Sequence, residues 1–349
     1  MPIRGGARTR ALVRTSAFAL TLSLALGLGA AASAKTLKLA TVMPDGSSWL
    51  VEMRAAGKQI EADTEGRVKI KFYPGGVMGN DKTVMRKIRV GQLHGGAFTS
   101  GALAPAYPDI DLYSLPLLFR TFDEVDYVRA RIDDTLKAGL EKNGFVPLAF
   151  TDGGFAYIAS QKPLRQVEDL SGAKVWMPED DVMSETAFEV AGVAPVPLPI
   201  ADVYTALQTG LVDTVAAPPA GFIAFQWHTK VKYFTDVPLM YLVGILAVDA
   251  KSFSKLTPGD QEIVRQRFSE AAMKLDAENR SGDQNARDAL KKQGIEFIEA
   301  SSDEEVARWQ KMSEDTRAKL RALGRYDDAL IDRILKALDE YRSGTAANP

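Results

Sequence analysis

The 349-residue chain has no cysteine and only two histidines. The first absence excludes disulfide bonds, thiol chemistry and a lipid-anchoring cysteine behind a leader. The second leaves little room for a metal centre. Neither His94 nor His228 has a second ligand at helical or hairpin spacing, so both read as structural or surface residues. No G-x-S-x-G elbow and no phosphate-binding P-loop occurs. Gly91, Gly95, Gly96 and Gly101 lie close together, but no Lys-Ser/Thr pair follows them, so they read as tight turns and close packing. Charge of one sign is also missing: 43 basic residues oppose 45 acidic ones, which argues against a nucleic-acid partner. No convergent acid/base pair can be assembled, no cofactor motif is present, and an enzyme is not the expectation.

The first 34 residues differ from the rest. Arg4, Arg8, Arg10 and Arg14 precede an apolar run from Ala17 to Ala32, and the stretch ends in Ala32-Ser33-Ala34. A basic start, a short apolar core and small residues at its end predict a cleavable secretory signal peptide with the cut after Ala34. The run is too short for a membrane span, and no later run is long enough. Cleavage would leave 315 residues from Lys35 and, with four Arg removed, take the formal charge from −2 to −6. With 46% hydrophobic and 25% charged residues, the remainder is that of an ordinary globular protein of about two domains, expected in the periplasm.

Hydrophobic periodicity sets out the elements. Leu37, Leu39 and Thr41 alternate with Lys38 and Ala40, a strand; Leu50, Met53, Ala56 and Ile60 recur at helical spacing behind Ser47 and Ser48, either of which can cap. Val68, Ile70 and Phe72 form a second strand. The turn YPGGVMGND leads into a helix that Asp81 is expected to cap and that runs to Val90. A buried strand at LHGGAFTS, a helix over 123–143 and a strand over 146–150 complete a β-α-β-α series, hence an α/β sheet with helices on its faces. The pattern restarts with strands at 156–160 and 174–177, a helix at 182–191 and an extended piece at 193–196. A helix at 202–209 closed by Gly210 follows, then strands at 212–215 and 241–248. From Thr257-Pro258 the chain reads as helical, Pro258 suiting the first turn and Asp260 and Glu262 its dipole. A helix to about Gln293 would be ~50 Å long, more than one small domain needs, and predicts a brace between two lobes. The lack of a linker predicts lobes that exchange strands.

The order and content of these segments resemble, over essentially the whole mature chain, the DctP-type solute-binding proteins of TRAP transporters. The stretches that carry the likeness are VMPDGSSW after the first strand, TEGRVKIKFYPGGVMGNDKTVMRKIRVGQLHGG, PDIDLYSLPLLFRTFDEV, DLSGAKVWMPEDD, VYTALQTGLVDTVAAPP and KYFTDVPLMY. The resemblance implies an α/β fold of two lobes, a type II-like periplasmic binding protein with a hinge and a long helix spanning both. It places lobe I at 35–152 plus about 242–281 and lobe II at 153–241 plus about 282–345. It also implies closure on a small-molecule ligand and delivery to the membrane permease subunits of a TRAP transporter. A monomer is expected, with a dimer left open.

One departure from the family pattern governs the expected ligand. Typical members carry an Arg where this chain has Trp176, and that Arg grips the substrate's carboxylate with two donors. The upstream positions that are basic in sialic-acid binders are Phe155 and Ala156. The polar positions after TGLVD are Val215, Ala216 and Ala217. Three polar positions turned apolar in one cleft predict a largely apolar or aromatic ligand, lipid-like molecules included, because an unpaired buried carboxylate costs on the order of several kcal/mol. The candidate ligand-binding residues are Trp176, Phe155, Tyr157, Trp49, Phe98, Met177, Asp181, Ala217, Pro218 and Phe222. Phe225 and Trp227 read as core. The alternatives are a carboxylate held by Arg165, Lys174 or Arg120, an organic cation between Trp176 and the acids Asp180 and Asp181, or an enzyme or sensor partner built on the same lobes. Glu179, Asp180 and Asp181 read foremost as caps of the helix that follows them.

Overall fold

Besides Met1, the computed structural model describes residues 34–299 and 302–345; the expected leader, apart from Met1 and Ala34, lies outside the described residues. The strands are β1 (Lys35–Ala40), β2 (Val68–Tyr73), β3 (Gly95–Thr99), β4 (Phe145–Ser160), β5 (Trp176–Met177), β6 (Val196–Pro197), β7 (Thr214–Ala217), β8 (Tyr233–Asp249) and β9 (Glu296–Ile298). The helices are α1 (Ser48–Asp63), α2 (Asp81–Arg89), α3 (Ser100–Leu103), α4 (Phe122–Lys142), α5 (Val182–Val190) and α6 (Val203–Thr209). They continue with α7 (Pro219–Ala224), α8 (Ala250–Phe253), α9 (Pro258–Lys292), α10 (Asp303–Ala322) and α11 (Asp328–Arg342).

Local chemistry explains most boundaries. Ser47 accepts from the Leu50 amide at the head of α1, and Thr257 accepts from the Asp260 amide with Pro258 in the first turn of α9. Gly210 closes α6 at φ +72°, the left-handed conformation that glycine adopts without strain. At α2 the cap moves by one residue. Asn80, not Asp81, accepts from the Thr83 amide at 3.1 Å, and Asp81 becomes the first helical residue.

Among the described residues the strands form a seven-stranded sheet in the order β2-β1-β3-β8-β4-β7, with β9 also on β8, and a separate parallel pair β5-β6. β1 pairs β2 and β3 in parallel; β3-β8, β8-β4 and β4-β7 are antiparallel. The expected separate strands at 146–150 and 156–160 are one strand of 16 residues. A register shift between Asp152 and Gly154, with Gly154 at φ +82°, lets the ladder bend without breaking. β8 is likewise longer than its apolar run and begins at Tyr233. The glycines of β3 serve close packing, as expected: a Cβ on Gly95 would lie 2.1 Å from the Ala247 carbonyl oxygen of β8.

The long strands β4 and β8 run through both lobes, and α9 is fastened to β4 at its bulge. Arg280 Nε donates to the buried Asp152 carboxylate at 2.7 Å, and Asn279 Nδ2 donates to the Asp152 carbonyl at 2.7 Å. Leu39, Leu50, Met53, Ile60, Phe268 and Leu275 fill the core between the first strands, α1 and α9. Trp176, Phe222, Trp227 and Phe234 fill that of lobe II. α11 departs from the expected lobe assignment. Its Leu330, Ile331, Ile334 and Leu338 share a core with Val125, Val128, Ile132 and Leu136 of α4, and Arg342 Nε pairs with Glu124 at 2.8 Å. Residues 328–342 therefore pack with lobe I, because their apolar stripe matches the free face of α4. Among the described residues no helix is long and apolar enough to cross a membrane.

Candidate functional site

A cavity of about 1330 Å3 opens between segments of both lobes. Lobe I contributes the loop after β1 with Val42 and Met43, Trp49 in the first turn of α1, the face of α2 with Asp81 and Met85, and Phe98 with Thr99 at the end of β3. Lobe II contributes the tip from Pro178 to Val182, Leu198 to Ala201, and Pro218 with Ile223 and Phe225. Thr151 to Gly154 of β4 and Gly244 of β8 form the base, and Asn279, Asp283 and Ala286 of α9 the remaining wall. Strand carboxyl ends and the loops beyond them thus supply most of the surface, as in open α/β sheets generally.

Of the ten candidates read from the sequence, the cavity brings together Trp49, Phe98, Asp181 and Pro218. Trp176, Phe155, Tyr157, Met177, Ala217 and Phe222 are not among its lining residues. Trp176 is 5% exposed and turned into the lobe II core. Its ring meets Trp227 edge-on at 5.2 Å, and its Nε1 donates to the Leu198 carbonyl at 2.9 Å. β5 has only two residues before Pro178, so the tip beyond Trp176 reaches the cleft while the indole packs behind it. Phe155 joins Phe122 and Tyr241 in lobe I, at 5.1 and 5.7 Å between ring centres. Tyr157 lies against Phe234 at 5.0 Å under the Arg287 guanidinium. Phe222 is 1% exposed between Trp227 and Phe234. Met177 and Ala217 are buried, Ala217 opposite Tyr157 in the β4-β7 ladder.

Phe225 moves the other way. It stacks on Trp227 at 5.4 Å, yet its outer face lines the cavity. It caps the C-terminus of α7, and Gln226 follows at φ +59°. The paired prolines before α7 are the sequence signal for a short helix at the rim, but not for the direction of its last residue.

The charges divide between wall and rim. Burial alone raises Asp81 from its ordinary 3.8 to about 6. Burial also raises Asp283, against the lowering by Arg287. Burial raises Asp181 too, while the Ser184 amide and hydroxyl, which donate to it, oppose the rise. The bases Arg86, Arg89 and Arg325 line the cavity as exposed residues with no ion-pair partner among the described residues. The other proposed bases are elsewhere: Lys174 Nζ donates to the Gly210 carbonyl, and neither Arg165 nor Arg120 lines the cavity. Among the described residues no group of His, Cys, Asp and Glu could hold a metal ion.

Residues 39–322 match the family model for bacterial extracellular solute-binding protein, family 7, the DctP family. The chain belongs to this family. The resemblance read from the sequence is borne out, and the protein binds solutes and is not an enzyme. The 2,3-diketo-L-gulonate-binding periplasmic protein YiaO of Escherichia coli (strain K12) is 29% identical over 248 residues, 68% of this chain and 73% of that one. Solved TRAP periplasmic solute-binding proteins share the two-lobed fold. The one from Ralstonia eutropha H16, with bound (S)-2-acetolactate, has a TM-score of 0.81 at 24% identity, covering 87% of this chain and 99% of that one. The one from Pseudomonas putida F1, with bound D-glucuronate, has a TM-score of 0.77 at 25% identity, covering 86% and 96%.

Proposed function

We infer that this DctP-family chain is the extracytoplasmic solute-binding subunit of a TRAP-type transporter, and that the solute it delivers to the membrane permease is largely apolar or aromatic. The observation that carries the ligand class is the cavity wall. Trp49, Phe98 and Phe225 line it, its buried lining holds no basic residue among the described residues, and the strand position that carries Arg in typical members holds an indole turned away into the core. A carboxylate drawn to these walls would lose its water without gaining a partner. Apolar burial suffices instead: ~200 Å2 removed from water is worth about 5 kcal/mol. Trp49, Phe98 and Phe225 are the proposed contacts, with Asp81 accepting any hydroxyl the solute carries. The lobes change over at the Asp152–Gly154 bulge and the facing Leu242–Val243 of β8, where α9 is also anchored. The leader is removed after Ala34. The mass of the exported chain tests this: a 315-residue product is expected, and the intact 349 residues contradict it.

A second reading has a specific observation behind it. Arg86, Arg89 and Arg325 stand unpaired at the rim, and the relatives named above carry acids. A thermal-shift panel of matched pairs, each a neutral aromatic or alicyclic alcohol beside its carboxylic acid, separates the two at pH 7.5. The proposal expects the neutral member to raise Tm more. If the acid raises it more, and Arg86→Ala, Arg89→Ala or Arg325→Ala removes the gain, the apolar reading is overturned.

A further inference from the structure

Three successive acids at the tip beyond β5 each meet lobe I. Asn80 Nδ2 donates to Glu179 Oε2 at 2.9 Å, while the Oδ1 of the same Asn80 caps α2. Lys82 Nζ pairs with Asp180 Oδ2 at 3.2 Å. Asp181 lies against Gly101, where an added Cβ would sit 3.6 Å from its carboxyl carbon, and beside the buried Asp111, whose carboxyl Ser100 Oγ holds at 2.6 Å. Asp180 adopts φ +61°, the left-handed region that favours glycine, and this turn places consecutive side chains toward lobe I. Asn80, Lys82, Glu179 and Asp180 all border the cavity.

We propose that Glu179 and Asp180, with Asn80 and Lys82 opposite them, form a clasp across the cleft mouth, which sets the closed fraction of the protein without touching the solute. Only Asp181 has the helix-capping role that the sequence suggests for all three, accepting from the Ser184 amide at 3.0 Å. The other two carboxylates are spent on the opposite lobe. Exposed pairs of this kind are individually weak and screened by salt. That suits a contact that must break at each delivery, and it makes closure depend on ionic strength. The clasp rests on the two-lobed binding reading, but its test needs no solute.

The cysteine-free chain allows two labels to be placed cleanly. Val90 of lobe I and Leu211 of lobe II are 67% and 51% exposed, so Val90→Cys and Leu211→Cys can carry spin labels for interlobe distance distributions with no solute added. Asp180→Lys is expected to shrink the short-distance population at least twofold, and Lys82→Asp in that background to restore it. Raising NaCl from 50 mM to 1 M should lengthen the distances in the labelled parent and leave a Glu179→Ala, Asp180→Ala variant unchanged. Far-UV circular dichroism checks that each variant folds. Identical distributions for the parent and Asp180→Lys, or equal salt effects in both proteins, would overturn the clasp. Neither result bears on whether the cavity binds a solute, which the thermal-shift panel decides.

Discussion

The aromatic rings of lobe II divide between two environments that composition does not distinguish. Trp176, Phe222, Trp227 and Phe234 meet edge-to-face in a closed core, and Trp176 also satisfies its indole N–H on the Leu198 carbonyl. Phe225 stacks on that core with one face and opens to the cavity with the other, across from Trp49 and Phe98. The core rings come from β5, α7, β8 and the segment between α7 and β8, and close on one another. The cavity ring sits at the C-terminal cap of α7, just before Gln226 at φ +59°. The buried acids divide in the same way. Asp152 has a guanidinium bonded to it to hold its charge, whereas Asp111 accepts from the Ser100 hydroxyl and has a second acid, Asp181, beside it.

The largest effect should come from the closed core. Trp176→Ala removes a ring and leaves a cavity, so stability in urea unfolding should fall by about 4 kcal/mol. A loss below about 1 kcal/mol would put the ring back in the cleft. Asp111→Asn should act in the opposite direction. Burial, and then the charge of Asp181, raise Asp111 from 3.8 to about 8, so the folded chain holds this proton more tightly than the unfolded one. The stability it contributes is fully present below about pH 4 and is lost as pH rises through about 8. Asp111→Asn should therefore gain about 2 kcal/mol over the parent at pH 9 and nothing at pH 4. Equal gains at both values would deny Asp111 its raised affinity for protons. Phe225→Ala should change stability least, by about 1 kcal/mol or less, yet cancel the Tm gain given by the neutral panel members. Retained gains would remove Phe225 from the binding surface.

Local signals in the sequence carried far into the fold. Ser47, Thr257-Pro258 and Gly210 mark helix ends where they fall, and α9 runs through Gly282 without a break. Continuity across Gly153-Gly154 was hidden, because a bulge tolerates glycines that otherwise read as a break. The partner of α11 was hidden as well, since an apolar stripe names a buried face but not the helix that covers it. For the site, the strand tip that reaches the cavity was legible and the direction of Trp176 was not. A two-residue strand pinned by Pro178 leaves parity to be set by Trp227, some fifty residues away. Trp176 itself lies behind the wall, not in it.

Native mass spectrometry of the exported protein tests the central claim most directly, because it weighs the chain with whatever the cleft has retained. The account predicts a non-covalent adduct without a carboxylate group on the parent, lost from Phe225→Ala and kept by proteins altered only outside the cavity. An organic acid as the retained molecule, still bound in Phe225→Ala, would contradict it.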